Sequence, residues 1–243
     1  MLLFPGHVFS QTLVQQNVDT RVMLALRVNH KALQQWLPAP WTVDTISTGP
    51  SRGANLTLTF IDRLLNEDAN GTLLGRGTTR LVVLAAVARH PHTGVTARFD
   101  IREFNADPDG VPGPYKTGVL AAVRRKTQSE TNALDSGRAS EMWLAQPTDS
   151  EGIEFSIEYL RGVPSRDRSD SRLHSAVDPQ FVRIYRADAG TDVVLSRPMQ
   201  LDRTRRYELR VRVPELRAVF DGTEQLVSVA VVPWYVRQVF LPR

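Results

Sequence analysis

The chain has 243 residues, 42% of them hydrophobic and 23% charged, which is the balance of a globular protein and excludes a disordered or collagen-like one. The net charge is only +4, because 26 acids offset 30 bases, so a nucleic-acid partner is not expected in spite of the many arginines. There is no cysteine, which excludes disulfides, thiolate nucleophiles and cysteine-ligated metals and is compatible with a reducing cytoplasm.

No apolar run is long enough to span a bilayer as a helix, and no membrane association is expected. The opening MLLFPGHVF is apolar but short. It lacks the basic region and small-residue cleavage site of a signal peptide. From Thr20, TRVMLALRV alternates: Val22, Leu24, Leu26 and Val28 share one face, and Arg21, Met23, Ala25 and Arg27 the other. Asn29 can cap a short helix over HKALQQWL, which Pro38 ends. GANLTLTFID sets Leu56, Leu58 and Phe60 against Thr57, Thr59 and Ile61. NEDANG (66–71) reads as a turn. TRLVVLAAVARH (79–90) is apolar throughout and reads as a strand buried on both faces.

HPHTG (90–94) reads as a hairpin loop, from which VTARFDIRE (95–103) returns. Its Val95, Ala97, Phe99 and Ile101 share one face, and Thr96, Arg98, Asp100 and Arg102 the other. NADPDGVPGPYK is a loop rich in proline and glycine, and TGVLAAVRR the next strand. ASEMWLAQ and GIEFSIEYLRG look like a further hairpin, and 164–178 is polar enough to be a mobile loop or lid. FVRIYRA, TDVVLS and RYELRVRV follow as strands, then PELRAVF (214–220) as a second short helix. QLVSVAVVPWYVRQVFLP closes the chain, with Pro233 making its second half an edge or a bend. Ten or eleven strands, two short helices and no linker predict one domain over 1–243. It should be mainly β and antiparallel, closed or nearly closed into a barrel.

The sequence carries no Walker loop, no strand followed by G-x-G-x-x-G, no G-x-S-x-G elbow and no H-x-x-x-H pair, so neither a nucleotide nor a metal is expected. His90 and His92 are close, on a turn, where solvation is the ordinary fate of such a pair. Glu103 continues the register of Phe99 and Ile101. If that face points inward, Glu103 brings a carboxylate into the interior; if the strand bulges at Ile101, Glu103 sits in solvent or beside an arginine. Arg21 either lines a polar cavity, where it suits a carboxylate ligand, or points to water. Lys116 is one of three lysines against 27 arginines and follows the stiff frame Pro112-Gly113-Pro114-Tyr115. Held at the start of a buried strand, it would be desolvated and nucleophilic; the alternative is an ordinary surface lysine.

DTRVMLALRVNHKALQQWLPAPWTVD resembles the N-terminal signature of the acetoacetate decarboxylase superfamily, with Arg27, the HKALQQWL helix and Leu37-Pro38-Ala39-Pro40 in matching order. VTARFDIREFNADP is similar to the family's strand ending in Arg-Glu, here Arg102 and Glu103, and the run to VFLP is compatible with its last strand. The resemblance implies a single cone-like β-barrel with its site inside and no cofactor. It implies a lysine that forms a Schiff base with a small keto acid, in decarboxylation, aldol or dehydration chemistry. Lys116 is the lysine of the corresponding loop, Glu103 the proton-transfer carboxylate, and Arg21 and Tyr115 the substrate-binding groups. The family's adjacent lysine pair is replaced by Pro108-Asp109, and Arg21 lies two residues from the family's arginine. A non-catalytic barrel binding a small molecule is the alternative. Trp234 and Tyr235 offer a surface for a homo-oligomer.

Overall fold

The computed structural model describes residues 11–130 and 137–242; the MLLFPGHVF segment lies outside them. The strands, in chain order, begin with β1 (Gln11–Arg27), β2 (Thr42–Val43), β3 (Leu56–Glu67), β4 (Thr79–Arg89) and β5 (Thr96–Asn105). They continue with β6 (Gly118–Leu120), β7 (Ala122–Glu130), β8 (Arg138–Thr148), β9 (Glu151–Leu160) and β10 (Ser165–Ser175). The last are β11 (Val182–Ser196), β12 (Leu201–Asp202), β13 (Thr204–Arg212) and β14 (Gln225–Pro242). One α-helix, α1 (His30–Gln34), is capped by Asn29, whose Oδ1 accepts from the backbone N–H groups of Lys31 and Ala32. The expected second helix is only a 3-10 turn over Pro214–Leu216, with no side-chain cap to extend it.

The larger sheet runs β2-β4-β3-β1-β14-β11-β10-β5-β6, and a further pairing of β4 with β5 closes β3, β1, β14, β11, β10, β5 and β4 into a ring. The antiparallel expectation needs one correction: β5 meets β10, and also β6, in parallel. The polar stretch 164–178 is neither loop nor lid, because most of it is β10, the strand that completes the ring. Its charges are matched across the ladder, with Arg168 opposite Asp188 and Asp170 opposite Arg186. β14 is not an edge. It lies between β1 and β11, and Pro233 is accommodated because the register with β1 slips there, from Val232 opposite Arg21 to Tyr235 opposite Asp19.

A second sheet, β13-β9-β8-β7, covers the outside of the ring at β1, β3, β4 and β5. The chain passes from one sheet to the other at Ala121, between β6 and β7. Alternation on β1 and β3 decides the layering: Leu24, Leu26, Leu58 and Phe60 pack outward against Trp143, Ile153 and Phe155 of the second sheet. The Phe60 ring lies 5.6 Å from both Trp143 and Phe155. Each such side chain contributes about 1.5–3 kcal/mol of hydrophobic stabilisation. The alternate residues are therefore left facing the inside of the ring.

Candidate functional site: an arginine-lined cavity

The inside of the ring is a cavity of about 770 Å³. β1 contributes Arg21, Met23 and Ala25, and β3 contributes Thr57, Thr59, Ile61 and Arg63, as strict alternation requires. Three irregularities then change which residues face inward. On β5, Ala85 pairs with Asp100 but Leu84 with Arg102, so Ile101 is an extra residue. Plain alternation sets Phe99 in the outer core and Arg98 and Asp100 in the cavity; the bulge keeps Ile101 outside and brings Glu103 to the same side as Asp100. On β3, the slip at Leu64 exposes that residue and brings Asn66 to the wall. On β14, the slip at Pro233 moves the inward register from Ala230 and Val232 to Tyr235 and Arg237.

Asp19 is fully buried and takes hydrogen bonds from Arg21 Nη2 and, at 3.3 Å, from Arg63 Nε. Burial alone would raise this carboxyl; the charges of Arg21, Arg63 and Arg237 outweigh it and hold Asp19 below its ordinary value. The Arg21 guanidinium also lies 3.5 Å from the centre of the Tyr235 ring. Arg237 donates from Nε and Nη2 to Asn17 Oδ1 at 3.2 and 2.7 Å, and its guanidinium covers the Tyr185 ring at 4.3 Å. Arg183 Nη1 donates to Gln15 Oε1 at 2.8 Å.

Two acids share the β5 wall. Burial, and then the neighbouring charge of Glu103, push Asp100 up to about 8, although Thr117 Oγ1 donates to it at 2.6 Å. Burial also raises Glu103, partly offset by Arg63, by a 2.8 Å hydrogen bond from Asn105 Nδ2, and by Arg183 and Arg237. A buried carboxyl pair of this kind retains a proton near neutral pH, so one member can give a proton while the other takes one. Tyr115 and Tyr185 join hydroxyl to hydroxyl, and burial, with Tyr185 beside it, raises the Tyr115 phenol well above its usual value. One hydrogen serves that bond, so the acceptor phenol keeps its own hydrogen to donate.

Of the residues named from sequence, Glu103, Arg21 and Tyr115 line this cavity together. Glu103 is there for a reason opposite to the expected one: the bulge occurs and carries it inward. Lys116 is not brought in. Its backbone turns through a left-handed φ of 60°, and its ammonium reaches Asp178 at 2.9 Å on the surface, with 62% of the side chain exposed. The side chain expected at the start of a buried strand is therefore found in solvent, paired with Asp178. Lys31 lies on α1 and Lys126 on β7, so none of the three lysines faces the cavity. Arg63, Arg98, Asp100, Arg183, Tyr185, Tyr235 and Arg237 were not singled out from sequence; Tyr235, expected at an interface, packs inside. His90 and His92 are neighbours at 5.8 Å, and among the described residues no group of three metal-binding side chains gathers.

No family model matches the chain, and no curated protein does. Solved structures do. The enduracididine biosynthesis enzyme MppR with HEPES buffer bound superposes with a TM-score of 0.63 at 11% identity, covering 97% of this chain and 88% of its own. MppR complexed with pyruvate gives 0.60 at 10% identity, covering 97% and 90%. An acetoacetate decarboxylase-like enzyme from Sphingomonas wittichii RW1 gives 0.60 at 10%, covering 98% and 95%. At these identities the likeness is one of fold, and the chain has the acetoacetate decarboxylase-like fold.

Proposed function

We propose that this chain binds a small keto acid non-covalently inside the ring and moves a proton on it, without a lysine Schiff base. The observation that carries the reading is a cavity wall that joins several guanidiniums, a buried carboxyl pair and a phenol pair, with all three lysines elsewhere. The guanidiniums supply carboxylate recognition. The ionised member of the Asp100 and Glu103 pair accepts a proton from the carbon beside the ketone, and the spare phenolic hydrogen of the Tyr115 and Tyr185 pair donates to the developing enolate oxygen. Return of that proton to carbon, and of the enol hydrogen to the phenol, regenerates the carboxylate and the ketone, so the minimal reaction is reversible enolisation. The pyruvate complex of MppR supports a ligand of this size in this fold.

The test is hydrogen exchange at the α-carbon of keto acids in D2O, followed by NMR, beside borohydride trapping and intact mass. Exchange should be accelerated by wild type, retained in Lys116→Arg, and reduced about 10²–10⁴-fold in Glu103→Gln. No borohydride-stable adduct should form. A trapped adduct in wild type that Lys116→Arg abolishes would restore the imine mechanism and remove this one.

A further inference from the structure

The arginines of the cavity fall into two kinds. Arg21 and Arg63 are neutralised by Asp19. Arg98, Arg183 and Arg237 are held only by neutral oxygens: Thr57 Oγ1 at 3.1 Å, Gln15 Oε1 at 2.8 Å and Asn17 Oδ1 at 2.7 Å. Among the described residues none of these three stands in an ion pair. The Nε atoms of Arg98 and Arg183 are shut off from solvent and have no hydrogen-bond partner. Arg237 is buried and Arg98 and Arg183 are half-buried; guanidiniums stay charged in such places, and charges withdrawn from water are ordinarily paired. Glu103 does not fill this role, since its carboxyl is bonded to Asn105 and makes no contact with Arg183 or Arg237 short enough for an ion pair.

The three cations also occupy two places. On β14 the Arg237 guanidinium covers the Tyr185 ring, and its charge and that of Arg183 on β11 both act on the Tyr115 phenol bonded to Tyr185. Arg98 stands on β5, with Thr57 Oγ1 accepting from its Nη2, and among the described residues no carboxylate lies within ion-pair distance of it. β10 separates the two places: Leu173 pairs with Arg98 on one side and Arg183 on the other. Two strand spacings put their backbones about 10 Å apart, and the long side chains reach inward from there.

We infer that the cavity takes a ligand with two acidic groups, a short dicarboxylic acid, one carboxylate on Arg98 and the other on Arg183 and Arg237. This rests on the proposed function and names its substrate class: the keto acid carries a second carboxylate. Calorimetric titration of matched pairs tests it, with succinate, glutarate, adipate and 2-oxoglutarate against butyrate, valerate, hexanoate and 2-oxovalerate. In wild type the best diacid should bind more tightly than its monoacid partner. Arg98→Gln should weaken that diacid by about 10- to 100-fold, toward the level of the monoacid, and so remove most of the diacid preference. Because an unpaired, half-buried charge is removed, ligand-free Arg98→Gln should melt no lower than wild type, and Arg98→Lys should recover part of the diacid preference.

Equal binding of monoacids and diacids in wild type would overturn the inference and leave the keto-acid reading standing. Failure of every carboxylate to bind would remove both. An Arg98→Gln protein that is unfolded would also count against the inference, since it would give Arg98 a role in holding the fold together.

Discussion

Asp100 is the residue whose chemistry is most exposed to pH. In the folded protein it retains its proton up to about 8, because burial and the nearby Glu103 oppose ionisation, whereas in the unfolded chain it ionises near 3.8. Between those values the folded state binds the extra proton. The linkage relation then makes stability fall as pH rises, by up to about 1.4 kcal/mol per unit, and the loss is complete above the folded value. Wild type should therefore melt at a lower temperature at pH 8.5 than at pH 5.5. Asp100→Asn keeps an acceptor for Thr117 Oγ1 and does not titrate, so its melting temperature should vary less over the same range. A variant with the full wild-type slope would assign the dependence elsewhere. Asp19 has the opposite sign: its carboxyl is held low, so its contribution is lost only in acid, below the window used here.

Between elements, β7 and the ring are tied through Arg125. Its guanidinium donates to Glu141 at 2.9 and 2.7 Å, to Thr20 Oγ1 of β1 at 2.6 Å and to Asp62 of β3 at 3.2 Å. Glu141 is 4% exposed, so Arg125→Met would leave a buried carboxylate without its partner and should cost about 3–5 kcal/mol in denaturant unfolding. A double variant with Glu141→Leu should regain much of that loss. These elements also show where sequence patterning carries and where it stops. The alternation of β1 and β3 was legible, because one face is aliphatic and the other is not, and so were the β4–β5 and β8–β9 hairpins. The inward turn of Tyr235 and Arg237 was not. An extra residue in a strand exchanges the two faces without altering composition, and only Pro233 marks such a place in the sequence. β10 was missed because both of its faces are polar. The signal that could have found it is the alternation of charge sign, matched by Asp188 and Arg186 on β11. Lys116 was conspicuous through its rarity, and rarity says nothing about which way a side chain points.

At the scale of the molecule, one apolar core joins residues of the ring to residues of the second sheet, so the two sheets should not be separable folding units. Phe60 is the side chain through which they meet, fully buried, with its ring 5.6 Å from both Trp143 and Phe155 and stacked on Phe155. Phe60→Ala should cost about 3–5 kcal/mol, because the cavity it leaves is walled by two strand frameworks that cannot easily collapse together. The informative readout is the shape of the calorimetric transition rather than its midpoint alone. If the core is shared, the wild-type and Phe60→Ala proteins each unfold in one transition with matching calorimetric and van't Hoff enthalpies. A diacid bound inside the ring should then raise the midpoint of the whole transition, the second sheet included. Separation into two transitions, with ligand shifting only one, would show that the ring folds alone and that the second sheet is an appended unit.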